Sequence, residues 1–430
     1  MSKTAKITIL SVSLALVLFS VIGGLGVKAS TDDGAYRHIE VYSEVLSRIR
    51  SEYVEEPNMT AVTDGALHGL LESLDANSSY LTPGEYKEFK AHKTLGKAGI
   101  GATISKRFGY AAVVSVIPGG PADKANLEDG DIFESIEGKS SRELSLAEIQ
   151  SALDGQPGST VNLSVVRARR AEPVKVTITR EVVSIPAATE KILDDGVGYI
   201  EVKALTKGKS QDIANQIKAA QKAGAKKLIL DLRDVSEGEE EEGVATANLF
   251  LDHGTIAYLQ GQKYPRQNFN AEAAKAITKL PLVVLVNHGT GGPAEIVAAA
   301  ILENARGDVL GDKTFGIGSI QKTIEMEDGS ALILSVAKYY SPSGKAIQDT
   351  AVTPNILVAD NEDDFVAPED EDTNPNAPLQ KDKKAGPDDQ LHRAIEVLKN
   401  GDKSAVASTP AANAAQPAAP QMGNPLLKKQ

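Results

Sequence analysis

The sequence predicts a multidomain chain of mixed α/β and α+β type: a helical N-terminal region, a compact α+β module, and a core of alternating strands and helices. Three observations carry this. Within residues 35–95, Val41, Val45, Ile49 and Tyr53 recur four apart, on one helical face. Residues 96–182 break into short β-rich runs separated by glycine turns. From 183 to 360, wholly apolar runs such as residues 282–286 alternate with helical stretches, as in a parallel sheet covered on both faces.

The elements follow in order. Lys3 and Lys6 precede residues 7–27, which carry no charge and are long enough to span a bilayer. Small residues at Val27 and Ala29 fit cleavage after Ala29. Residues 1–29 are therefore expected to be a signal peptide or a membrane anchor, and the remainder to be exported. An uncleaved segment would hold the chain at the membrane. A second helix runs through Ala66, Leu67, Leu70, Leu71 and Leu74, and a third opens with Thr82 as N-cap and Pro83 at its first position. In 96–182 the strands are "GIGATIS", "AAVVSVI", "DIFESIEG", "TVNLSVVRA" and "PVKVTITR", with one amphipathic helix over 145–153. In 183–360 the strands "VGYIEV", "AKKLILDLR", "PLVVLVN" and "GDVLGDK" alternate with helices over "KSQDIANQIKAAQKAG", "GVATANLFL" and the apolar run after Pro293. The run "SALILSVAKYYSP" adds a strand. Residues 361–400 read as an acidic linker ending in the helix "DDQLHRAIEVLKN", and the Ala/Pro-rich 401–430 as a disordered tail.

Composition narrows the function. The net charge of −12 argues against nucleic-acid binding. There is no Cys, which excludes thiol chemistry and disulfides. The six His (His38, His68, His92, His253, His288, His392) form no ligand pair at helical spacing, so no metal and no cofactor is expected. The carboxylate run Glu239, Glu240, Glu241 and Glu242 reads as a solvated, mobile loop.

Within the α+β module, "GIGA" (Gly99, Ile100, Gly101, Ala102) and "PGGPADKANLEDGD" resemble the carboxylate-binding loop and following turn of a PDZ domain. Glycines let backbone N–H groups converge on a terminal carboxylate. The resemblance implies that a protein C-terminus adds as a strand beside Gly99, Ile100, Gly101, Ala102, Thr103 and Ile104, against the helix over 145–153. Lys106 and Arg107 lie just beyond that run; they offer charge that would attract acidic peptides, but two such basic residues read as solvated surface.

The wider pattern resembles the C-terminal-processing (tail-specific) serine peptidases. It is carried, in order, by "SEYVEEP", "LESLDANSSYLTPGEYKEF", the PDZ, "GVGYIEV", "LILDLR", "PLVVLVN", "AEIVAAAI", "GDKTFGIGSIQ" and "KYYSPSGKAIQ". The resemblance implies a βα-sandwich core of crotonase-like spiral type, a Ser nucleophile at a helix N-terminus and a Lys general base. A helix N-terminus stabilises developing negative charge, and a buried lysine loses its proton readily.

Three family positions depart from that pattern. Where the family reads Gly-Ser-Ala-Ser-Ala-Ser-Glu, this chain has Gly289, Thr290, Gly291, Gly292, Pro293, Ala294 and Glu295, so Gly292 stands in the nucleophile's place. Where it reads Thr-Phe-Gly-Lys-Gly, Ile317 replaces the Lys. In the Asn-Pro-Gly-Gly loop, Glu237 replaces a glycine of the oxyanion region, while Gln321 of the polar site is retained. The expectation is a catalytically inactive, exported homologue facing the periplasm, from the inner membrane or free of it. It would bind protein C-termini and assemble as a homo- or hetero-oligomer, with an active peptidase paralogue as one partner. Two alternatives stand beside it: a working peptidase with Thr290 or Ser319 as nucleophile and His288 as base, and a structural envelope protein with a silent PDZ.

Overall fold

The computed structural model describes residues 33–95, 98–107, 109–167, 172–348, 350–359 and 388–400. The signal or anchor over 1–29, most of the acidic linker and the tail over 401–430 lie outside the described residues. Among the described residues no helix is long and apolar enough to cross a membrane. The chain divides into two compact units, Met1–Leu67 and His68–Gln430.

In the first unit, α1 spans Asp33–Glu52, and α2 (Met59–Glu72) begins there. Of the apolar positions that predict α1, Val41, Val45 and Ile49 lie on it and Tyr53 just past its end, but Ile39, Val41, Tyr42 and Val45 are exposed.

The second unit opens with β1 (Ser79–Leu81) and α3 (Pro83–Leu95). Thr82 caps α3 reciprocally with Glu85, whose N–H donates to the Thr82 hydroxyl at 3.3 Å while the Thr82 N–H donates to the Glu85 carboxylate at 2.7 Å. The α+β module follows: β2 (Ala102–Arg107), β3 (Tyr110–Val116), α4 (Pro121–Lys124), β4 (Ile132–Ile136), β5 (Lys139–Ser140), α5 (Leu146–Leu153), β6 (Thr160–Val166) and β7 (Val174–Thr179). Its sheet runs β2-β3-β4-β6-β7, so β2 is an edge strand. Ser145 and Glu148 form the capping box that starts α5.

The core contributes β8 (Thr189–Leu193), β9 (Val197–Glu201), α6 (Lys209–Lys222), β10 (Lys227–Asp231), α7 (Glu240–Asn248), β11 (Thr255–Gln260), β12 (Gln267–Asn270), β13 (Leu282–Val286), α8 (Pro293–Glu303), β14 (Asp308–Gly311), β15 (Ser319–Glu325), β16 (Ala331–Tyr340), β17 (Ile356–Leu357) and α9 (Asp389–Asn400). One sheet has the order β17-β14-β13-β10-β9-β8, parallel except for the β8–β9 pair. Alternation along β13 explains its wholly apolar sequence. Leu282, Val284 and Val286 join Ile213, Ile217, Ala247 and Ile296 of the helices, while Val283 and Leu285 join Ala394 and Val397 of α9 on the other face. A second, antiparallel sheet, β1-β16-β11-β12 with β15 on β16, packs Ile256, Leu259, Ala337 and Tyr339 against the same helices. Of this second sheet β16 was legible, from "SALILSVAKYYSP", but β1, β12 and β15 are short or polar and carry no strand signal.

The glutamate run corrects its sequence reading. Glu240, Glu241 and Glu242 form the first turn of α7, where acids suit the helix dipole. Glu242 accepts from the N–H of Gly208 at 2.7 Å and of Ser210 at 2.8 Å. It thereby caps α6, whose own N-cap is a glycine without a capping side chain. Glu242→Ala is expected to cost about 1 kcal/mol, read as a lower urea midpoint with unchanged slope.

Candidate functional site

The site is built where β13 hands over to α8. Asn287 organises the turn. Its Oδ1 accepts from the N–H of Asp234 at 2.9 Å and of Gly289 at 3.1 Å, and its Nδ2 donates to the Asp234 carboxylate at 2.7 Å. Thr290 is fully buried; its Oγ1 accepts from the Asn287 N–H at 3.0 Å and donates to the Leu232 carbonyl at 2.8 Å. That hydroxyl is engaged by the turn and has no exposed face. His288 is exposed and makes no hydrogen bond or ion pair among the described residues.

Gly292 sits at the apex with φ 55° and ψ −121°, and Pro293 opens α8 behind it. This is a sharp strand–turn–helix elbow, the geometry that exposes a nucleophile in many hydrolases. A Cβ on Gly292 would meet only the Ser236 carbonyl oxygen, at 3.4 Å. Space does not exclude a side chain; the backbone conformation costs a non-glycine residue about 1–3 kcal/mol. Close approach matters one turn away: a Cβ on Gly243 of α7 would lie 2.4 Å from the Pro293 carbonyl oxygen, so that glycine lets α7 lie against the start of α8.

Glu295 ties the elbow together. It is fully buried on the first turn of α8. Its carboxylate accepts from the N–H of Gly292 at 3.0 Å, of Gly316 at 2.8 Å and of Ile317 at 2.8 Å, and from the Thr314 hydroxyl. Burial pushes this carboxyl up to about 7, against the four donors, which favour its charged form.

The three segments singled out in the sequence do converge. A Cβ on Gly291 would fall 2.9 Å from Ser236 Cβ and 3.2 Å from Ile317 Cδ1. The half-buried Ile317 side chain thus lies on the elbow, and the Gly291 N–H donates to the Val235 carbonyl at 2.9 Å. The loop beyond faces the α+β module. Ser236 bonds Ser115 of β3 at 2.5 Å, and the Glu237 carboxylate accepts from Thr103 of β2 at 3.4 Å. Burial raises the Glu237 carboxyl and the nearby Asp154 adds to the rise. Glu237 is therefore not part of a solvated acidic loop; it is turned into the contact between core and module.

Ser319 and Gln321 lie on β15. The Ser319 hydroxyl accepts from Asn77 Nδ2 at 3.1 Å and from Gln321 Nε2 at 2.8 Å. Both partners are amides, neither able to take a proton from it. Gln321 also reaches Ser335 at 3.4 Å.

The run expected to bind peptide leads into the edge strand β2, and its first residue, Gly99, already exchanges backbone hydrogen bonds with Glu181 at 3.0 and 3.2 Å. Gly101 has φ +74°. Ile100 and Ile104 point inward with Leu127, Phe133, Ile149 and Leu153, while Thr103 points to the opposite face and Glu237. Asn287 and Glu295 escaped the sequence reading. For Glu295 a signal existed: a glutamate at the third helical position behind Gly292 and Pro293 is half of a capping box.

Comparison with known proteins agrees with this architecture. Residues 196–358 match the model of peptidase family S41, and residues 113–167 that of the PDZ domain. The chain is 31% identical to the carboxy-terminal processing protease CtpA of Bacillus subtilis (strain 168), over 80% of this chain and 74% of that protein. It is also 31% identical to the carboxyl-terminal-processing protease of Synechocystis sp., over 72% of this chain and 74% of that protein. The photosystem II D1 C-terminal processing protease shares the fold, with a TM-score of 0.61 and 24% identity over 74% of this chain and 92% of that one. With a PDZ module, an S41 core and these relatives, the chain belongs to peptidase family S41, among the carboxyl-terminal processing proteases.

Proposed function

We propose that this chain is a pseudoprotease of the family: an exported homologue that binds protein C-termini through its PDZ and acts as scaffold, adaptor or regulator. The observation that carries the reading is the elbow itself. Its apex residue is Gly292, which has no atom to attack with, and the side chain laid on it is that of Ile317, which cannot accept a proton. In triad enzymes, removal of the nucleophile alone costs about 10⁶ in rate, and loss of the base adds little. The commitments of Thr290 and Ser319 to other partners weigh against a relocated nucleophile. The uncovered apolar residues of α1 favour self-association, or pairing with an active paralogue, through the N-terminal helices.

The test uses the full chain with an unfolded substrate ending in apolar residues. No cleavage is expected, and none from Gly292→Ser with Ile317→Lys, because the loop at Glu237 is altered as well. A fluorescent peptide with a free carboxylate is expected to bind, and its C-terminal amide to bind at least tenfold more weakly, since a charge-assisted contact is lost (about 1.5–3 kcal/mol). Cleavage abolished by Thr290→Ala or Ser319→Ala would overturn the reading.

A further inference from the structure

The line between β2 and α5, whose Ile104, Ile149 and Leu153 are packed together, is bridged at one end by Lys106. This side chain leaves β2, crosses to the approach of α5 and donates to the Leu144 carbonyl at 2.8 Å, one residue before the Ser145 cap. It also meets Glu72, at the end of α2, at 2.5 Å. The Lys106 side chain is only 6% exposed, so its charge is held in place and is not free surface; the Glu72 side chain is 40% exposed. The sequence reading of Lys106 as solvated is thereby corrected.

The direction of a bound peptide follows from the ends of the groove. Its carboxylate belongs at Ile100 and Gly101, in the turn that precedes β2, since the Gly99 N–H is already donated to the Glu181 carbonyl at 3.0 Å. Its chain must then run back along the β2 edge, antiparallel to a strand that proceeds from Ala102 to Arg107. Side chains facing the groove alternate along the strand, and Lys106 shares the parity of Ala102 and Ile104. A peptide whose last residue lies beside Ala102 brings the residue four positions upstream beside Lys106.

We propose that Lys106 selects an acidic side chain four residues before the C-terminus of the bound protein, and that Glu72 occupies Lys106 in the free state as an internal competitor. The ligand class is thus a C-terminus ending in apolar residues with Asp or Glu upstream. Such a ligand must displace Glu72, so the exchange of one carboxylate for another leaves the resting chain weakly selective. Removing Glu72 exposes the preference. This rests on the PDZ reading above and adds to it a reader and a brake.

The experiment measures anisotropy with two labelled decapeptides ending in apolar residues, identical except for Glu or Gln four positions before the last residue. Wild type, Glu72→Gln and Lys106→Gln are compared as full chains. In Glu72→Gln the Glu peptide is expected to bind about fivefold tighter than the Gln peptide, the scale of one well-placed ion pair. It should also bind tighter than to wild type. In Lys106→Gln the preference is expected to vanish while binding of the Gln peptide persists. Equal affinity of the two peptides for Glu72→Gln overturns the inference and leaves C-terminal recognition standing, as does a preference that survives in Lys106→Gln. Failure of free-acid peptides to bind any of the three chains overturns both. Glu72 is partly exposed, so that arm remains readable if Lys106→Gln does not fold.

Discussion

Glu295→Gln is expected to be among the most damaging single-atom exchanges in this chain. The carboxylate accepts four donors, with Gly292 and Ile317 on one oxygen and Thr314 and Gly316 on the other. An amide has one oxygen and one NH₂. Whichever way it turns, the NH₂ faces two donors in a site with no access to water. Two buried donors then go unmet, at about 1–3 kcal/mol each, so a loss of about 2–6 kcal/mol is expected. Thermal unfolding should fall by several degrees, and amide exchange should rise at Gly316 and Ile317 before it rises in β13. Glu295→Asp shortens the reach and should recover little. Retention of wild-type stability by Glu295→Gln would show that the elbow is held by packing alone.

Arg233→Ala carries the second large effect. The guanidinium binds Asp231 through Nε at 3.0 Å and through one terminal nitrogen at 2.6 Å, and it spans to both oxygens of Asp388, each at 2.9 Å. Asp231 is buried, and Tyr199 donates its hydroxyl to it at 2.6 Å. These carboxylates hold the Arg233 guanidinium above its usual range in spite of burial, and the Tyr199 hydroxyl is raised by burial and by Asp231. Removing the arginine leaves a buried carboxylate without its cation, which costs about 3–5 kcal/mol. It also releases Asp388, the residue before α9. Hydrogen exchange should therefore rise first in α9, and the urea midpoint should fall. Arg233→Lys is expected to restore a minor part, because a single ammonium cannot serve two carboxylates in the fork geometry.

The residues that were readable in advance share a physical property: their signal is local. The apolar run of β13, the Thr82 cap, the amphipathic α5 and the short α9 all declare themselves within a few positions. The family motifs then placed Gly292, Ile317 and the loop at Glu237 near one another before any coordinates. What escaped depends on contacts across long separations. The antiparallel sheet is assembled from β1, β11, β12, β15 and β16, whose pairing is set by burial on one face only. The capping of α6 by Glu242, the turn of Glu237 toward Thr103 and the bridge from Lys106 to Glu72 join segments from 30 residues apart upward. A run of like charges reads as solvent-facing because nothing in the run reveals its partners.

The backbone at Gly292 has a final consequence. In a working hydrolase such a bend is a load the fold must carry, because a side chain is forced into a conformation it resists. With hydrogen in its place the same path runs without that load, and the difference is held as reserve against heat and mutation. A chain with glycine at this bend should therefore outlast relatives that carry a side chain there under denaturing conditions, and tolerate more substitution on its surfaces.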